Sequence, residues 1–146
     1  MIEVVSSNNI DEVLPLISQY QEFYKVVNIS DAKNKAFFSQ FGETNSSGCQ
    51  FILRNKTKIV GFATVFFTYS STLAAKVAVL NDLYILPANR GEGFAKQLVE
   101  HCDRFAKSQG ALRLQWLTAT DNEPAQKLYD SLNTAKSTWC FYTYNR

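Results

Sequence analysis

The stretch Asn81–Ala95, Asn-Asp-Leu-Tyr-Ile-Leu-Pro-Ala-Asn-Arg-Gly-Glu-Gly-Phe-Ala, constrains the fold more than any other part of the chain. A strand-like apolar run (Val77, Val79, Leu80, Leu83, Tyr84, Ile85, Leu86) stops at Pro87, a polar loop with Gly91 and Gly93 follows, and a helical pattern opens at Phe94. Strand, glycine loop and helix N-terminus in that order make an arrangement suited to phosphate. Glycines let backbone N–H groups approach an anion, and the helix dipole adds positive potential there. An ordinary strand-to-helix turn uses the same residues, so the surroundings decide between the two.

Upstream, Ile2–Val5 reads as a short strand. Asn8 or Asn9 can cap a helix whose apolar positions Ile10, Val13, Leu14, Ile17, Tyr20, Phe23 and Tyr24 recur at helical spacing. Pro15 does least harm if that helix begins near Leu14, and predicts a kink if it begins at Ile10. A second helix is predicted over Asp31–Phe41, closed by Gly42, with a polar loop over Glu43–Gly48. Cys49–Arg54 and Lys58–Tyr69 read as a hairpin turning at Asn55-Lys56-Thr57, and Lys76–Leu86 as its antiparallel neighbour.

Downstream, Phe94, Leu98, Cys102 and Phe105 make one apolar stripe on a helix that ends at Gly110. Leu112–Leu117 is a further strand. Asp121 or Asn122 caps a helix with Pro124 in its first turn, running to about Leu132, and Ser137–Tyr144 reads as a final strand. The order is β-α-α-β-β-β-α-β-α-β. It predicts an α/β (α+β) domain over residues 1–146 with a mixed, mostly antiparallel sheet, helices on both faces, and a parallel crossover from Lys76 to Leu117.

At 146 residues and 46% apolar content, the chain can bury one core but not two. Its net charge of +2 comes from scattered basic residues, which argues against a nucleic-acid partner and suits a small anion. Cys49, Cys102, Cys140 and the single His101 stand at no metal-like spacing, so neither a metal centre nor a disulfide framework is expected. Cys102 is a core residue by its place on the stripe, and His101 a surface one. No stretch suggests a signal peptide or a membrane span, and a cytoplasmic protein is expected.

Arg90-Gly91-Glu92-Gly93-Phe94-Ala95 fits Arg/Gln-x-x-Gly-x-Gly/Ala, the acetyl-CoA pyrophosphate signature of the GNAT N-acetyltransferase superfamily. Asp82-Leu83-Tyr84-Ile85-x-Pro resembles the family's approach to that loop, and Asn122-x-x-Ala125-x-x-x-Tyr129 is similar to its second cofactor motif. Tyr20-x-x-Phe23-Tyr24 and Trp139-x-x-Tyr142 resemble a subgroup that includes yeast histone/polyamine acetyltransferases. The motifs span roughly Val77–Leu132. A Rossmann site, the rival reading of a glycine loop, lacks its middle glycine, its opening βαβ unit and its acidic residue here.

The resemblance implies acetyl-CoA as cofactor, held by Leu83, Tyr84 and Ile85 along the pantetheine arm and by Arg90, Gly91, Glu92, Gly93, Phe94 and Ala95 at the pyrophosphate. Asn122 and Tyr129, seven residues apart, share a helix face. Asn122 is either a cofactor contact or a helix cap. The resemblance makes Tyr129 the general acid for the departing thiolate, and Asp82 is a candidate base for the substrate ammonium. Relatives among the polyamine enzymes often carry a glutamate one position earlier, where this chain has Asn81.

For the acceptor site, the resemblance points to Tyr20, Phe23, Tyr24, Glu43 and Tyr84. Aromatic faces with an acidic partner suit a cationic amine, whereas the same spacing also serves plain core. The expected activity is direct acetyl transfer to a primary amine, either a small polyamine or amino compound or a protein amine. The alternative is an acyl-CoA-binding sensor of the same fold. The aromatic strand Trp139–Tyr144 would be an exposed liability in a monomer, so a homodimer that covers or exchanges it is expected.

Overall fold

A computed structural model describes residues 1–146. Five strands, β1 (Ile2–Val4), β2 (Gly48–Asn55), β3 (Lys58–Ser70), β4 (Ala75–Ile85) and β5 (Leu114–Gln115), lie side by side in chain order. The first four are mutually antiparallel and β5 is parallel to β4, as the crossover reading requires. The helices are α1 (Ile10–Phe23), α2 (Asp31–Phe38), α3 (Phe94–Ser108) and α4 (Glu123–Asp130).

Alternation along the strands divides the sheet into two apolar faces. Cys49, Phe51, Leu53, Ala63, Val65, Ala78, Leu80 and Ile85 pack against Leu98, Val99, Cys102 and Ala106 of α3. Ile52, Ile59, Phe62 and Tyr84 meet Val13, Leu14 and Ile17 of α1 and Phe38 of α2 on the opposite face. Helices therefore cover both sides, and Cys102 is fully buried as its place on the stripe implied.

Two local details position the site. The β2–β3 hairpin turns tightly at Lys56-Thr57, with Lys56 in the left-handed region (φ 58°). In the β3–β4 ladder, Thr64 faces Asp82 while Val65 faces Leu80, so Asn81 is the extra residue of a β-bulge. The bulge falls where β4 parts from β5. These two strands pair only at Ala78–Leu114 and Val79–Gln115, so from Leu80 to Ile85 that edge of β4 has no strand beside it.

Several element ends differ from the sequence expectation. α1 begins at Ile10 and carries Pro15 inside it. Asn9 occupies its cap position without capping, because its side chain accepts from the Ser6 N–H and donates to the Val4 carbonyl. α2 stops at Phe38 with Ser39 as its C-cap, not at Gly42, and α4 stops at Asp130. β5 is two residues long instead of the six of Leu112–Leu117, because β4 turns away after the bulge and offers it no longer ladder. The predicted final strand is not formed. Residues 133–146 carry no helix or strand, and Trp139 and Tyr142 are 81% and 88% exposed. β-Propensity produces a strand only where the segment pairs, and this tail pairs with neither open edge of the sheet, β1 or β5. His101 is half-buried against the Phe51 ring, at 4.7 Å between centroids, and is not a plain surface residue.

Candidate active site

The loop after β4 is built for free amides. A short 3-10 turn at Pro87–Asn89 leads to Arg90, and Gly91 and Gly93 take φ of 81° and 84°, a region side chains with a Cβ avoid. Gly93 is the N-cap of α3 and has no side chain to cap it, so the first amides of α3 point into the open. A Cβ at Gly91 or Gly93 would meet nothing within 4 Å. Free amides, a helix dipole and empty space coincide here, which fits an anionic group such as a pyrophosphate. Phe94 and Ala95 anchor the helix start on the α3-side core, while Glu92 stays exposed.

Arg90 folds back along the strand it follows. Its Nε donates to the Ile85 carbonyl at 3.0 Å, and its guanidinium lies 5.6 Å from the Tyr84 ring centre. Leu83 and Ile85 turn their side chains to the α3-side core, Tyr84 to the α1 side. The unpaired edge of β4 and the loop therefore form one continuous backbone surface.

On the α1 side, aromatic and acidic groups from several elements converge. Asp82 is only 8% exposed. Burial pushes its carboxyl above the usual range, while the nearby Thr64 and Tyr20 hydroxyls and the Asn81 amide pull the other way. Asn81 Nδ2 donates to Asp82 Oδ1 at 3.1 Å. The Tyr20 ring sits edge-on to Tyr24, Phe62 and Tyr84, at 5.0, 5.6 and 6.0 Å. Burial, and then the Asp82 charge, hold its phenol far above its normal titration range. Tyr84 donates its hydroxyl to Gln19 Oε1 at 3.2 Å.

Tyr129 on α4 packs edge-on against Trp116, 5.3 Å between centroids. Burial raises its phenol, and Tyr24, the residue that closes α1, adds to the rise. Asn122 is a helix cap in this structure, since its Oδ1 accepts from the Ala125 N–H at 3.3 Å. Phe23 lies on the exposed rim beside Tyr24. Glu43 is not brought into the group. It is exposed in the turn after α2, and its charge is felt by Cys49, whose side chain packs on the α3 face of the sheet.

Sequence reading missed Thr64, Gln50 and Trp116. Thr64 and Gln50 are the polar members of otherwise apolar strand runs, and that interruption was the available signal.

An uncapped helix N-terminus at the end of a splayed strand, beside a buried carboxyl and a tyrosine held protonated by burial, suits group-transfer chemistry with a phosphate-bearing donor. The acetyltransferase (GNAT) family profile matches residues 14–133, and the chain is a member of that family, a GNAT-type N-acetyltransferase. The chain is 29% identical over 118 residues to an uncharacterized N-acetyltransferase, YhfO, of Bacillus subtilis (strain 168), covering 81% of this chain and 78% of that one. It is 28% identical over 142 residues to a thialysine N-epsilon-acetyltransferase of Bos taurus, covering 90% and 82%. Its fold matches that of AAC(6′)-Iy, solved with the bisubstrate analogue CoA-S-monomethyl-acetylneamine, at a TM-score of 0.84 and 20% identity, covering 100% and 97%.

Proposed function

We propose that this chain, as one domain over residues 1–146, transfers an acetyl group from acetyl-CoA directly to a primary amine, either a small polyamine or amino compound or a protein amine. The observation that carries this reading is the continuity of one strand. The unpaired edge of β4 joins the open amides of Gly91–Ala95 at one end to Asp82 at the other. The relative named a thialysine N-epsilon-acetyltransferase and the neighbour solved with a CoA bisubstrate analogue support an amine acceptor and a CoA donor.

The cofactor supplies an acetyl group activated as a thioester. The amides of Gly91–Ala95 and the Arg90 charge would hold its pyrophosphate, and the backbone of Leu83–Ile85 its pantetheine arm. Asp82, made more basic by burial, accepts a proton from the substrate ammonium, directly or through water, so that the neutral amine can attack. Tyr129 keeps its proton at neutral pH because burial raises it, and it would give that proton to the departing sulfur and recover one from the acylated nitrogen. Tyr20 and the neighbouring Tyr24 supply two hydroxyls and two aromatic rings, whose faces suit a cationic amine. Cys49 and Cys102 are buried with their thiols pushed up, which removes them as acetyl carriers and favours direct transfer.

Mass spectrometry of an amine panel incubated with acetyl-CoA tests the proposal. Acetylated product, lost in Tyr129→Phe, supports it. Tight CoA binding with no product across the panel would leave the sensor reading instead. We also propose a homodimer that covers the exposed Trp139–Tyr144 segment, and a cytoplasmic site consistent with three free cysteines. No helix is long and apolar enough to cross a membrane. Light scattering at micromolar protein should give twice the 16.5 kDa chain mass, and a stable monomer would refute the dimer.

A further inference from the structure

Asp82 and two further polar side chains lie in register across the middle of the sheet. Gln50 of β2 faces Thr64 of β3, which faces Asp82 of β4. Gln50 and Thr64 are completely buried. Their neighbours along the same face are Ile52, Phe62 and Tyr84, all part of the core under α1. A sheet interior gains nothing from an amide and a hydroxyl where a leucine and a valine would pack.

The donor directions explain the arrangement. Gln50 Nε2, which can only donate, lies 3.2 Å from Thr64 Oγ1. The threonine oxygen therefore accepts, and its single hydrogen is left for the Asp82 carboxyl, the register partner of Thr64 across the β3–β4 ladder. The reverse amide orientation would place Oε1 against Thr64, capture that hydrogen, and strip Asp82 of a donor. The orientation that serves Asp82 has a cost: Gln50 Oε1 is the one buried side-chain atom with no hydrogen-bond partner.

We propose that Gln50 and Thr64 are positioning residues, an amide–hydroxyl ladder across three strands that fixes the Asp82 carboxylate and supplies it with a hydrogen bond. The consequence for the reaction rests on the assignment of Asp82 as the proton acceptor. The other groups facing Asp82 are Tyr20 from α1, with Tyr24 behind it, and Asn81 from β4, while Tyr129 of α4 reaches only as far as Tyr24. Burial keeps the Tyr20 and Tyr129 phenols protonated and the Asn81 amide carries no charge, so Thr64 is not masked by these partners. Each donor to the carboxylate favours its ionised form. Removing Thr64's hydrogen bond should raise the Asp82 titration midpoint.

The test is a carbon-13 NMR titration of the Asp82 side chain in the full-length protein, assigned with Asp82→Asn, alongside the pH profile of kcat/KM. Thr64→Val should raise the Asp82 midpoint by about one pH unit, a tenfold change in proton affinity, and Thr64→Ser should restore it to within a few tenths. Gln50→Leu should raise it by less while leaving thermal stability equal or higher, because it also removes the orphaned oxygen. The acidic limb of the rate profile should follow the Thr64→Val shift. An unchanged midpoint in Thr64→Val, or the same midpoint in Thr64→Ser as in Thr64→Val, overturns the ladder. If Thr64→Val does not fold, an unmoved midpoint in Gln50→Leu with lowered stability overturns it equally. A midpoint that moves while the rate profile stays fixed overturns the proton-acceptor role of Asp82 and leaves the ladder standing.

Discussion

Gly93→Ala and Gly110→Ala form a matched pair that isolates what the loop does. Both glycines have φ of 84°, and a Cβ at either would meet nothing within 4 Å. They stand at opposite ends of α3, Gly93 at its N-cap and Gly110 just past its C-cap. With no clash at either site, the stability cost is that of forcing an L-residue into the left-handed region, about 1–2 kcal/mol in each. For a chain of this size that lowers Tm by about 3–8 °C in the absence of ligand. The space in front of Gly93 is where the proposed pyrophosphate sits, and a methyl group there competes with it. CoA affinity, measured by calorimetry, should fall at least about tenfold in Gly93→Ala, or about 1.4 kcal/mol, and stay unchanged in Gly110→Ala. Equal CoA affinities in the two variants would refute the loop as the cofactor's seat. No loss of Tm in either would refute the backbone argument.

The remaining predictions bear on the reacting groups and the sheet. Tyr129→Phe keeps the ring against Trp116 but removes the proton, so kcat should drop about 100-fold with Tm and CoA affinity nearly unchanged, as steady-state kinetics and calorimetry would show. The Asp82 carboxyl is raised by burial in the folded state, so the cost of its ionisation is absent below the unfolded pKa and grows as pH rises through the folded one. Asp82→Asn should therefore abolish turnover while raising Tm at pH 7.5 by more than it does at pH 4, as thermal melts at both pH values would show. Gly48→Ala would place a Cβ 2.6 Å from the Val65 carbonyl oxygen, and the strand shift it forces should cost about 1–3 kcal/mol in denaturant unfolding.

Local signals made much of the fold legible. Gly91, Gly93 and the Phe94–Phe105 stripe marked the loop and α3, and the β-branched and aromatic runs marked β2, β3 and β4 nearly to the residue. What failed were elements whose ends depend on a partner. The Ser137–Tyr144 run has strand composition but joins no edge of the sheet, and Leu112–Leu117 lost most of its ladder to a bulge at Asn81 that no pattern announced. Asp82 and Tyr129 could be picked out as candidates, but Glu43 could not be excluded from sequence, because its distance from them depends on the path of the turn after α2. Asn122 satisfied the capping rule that competed with its other reading. Gln50 and Thr64 remained invisible because their significance lies in strand register, which only the paired sheet reveals.

The central claim is that β4 and its loop hold acetyl-CoA. Isothermal titration of acetyl-CoA into the full-length chain measures this without knowledge of the acceptor. One saturable site per chain with a dissociation constant below about 1 mM, weakened in Gly93→Ala but not in Gly110→Ala, is the predicted result. No binding heat at millimolar acetyl-CoA, with no rise in Tm at the same concentration, would contradict it.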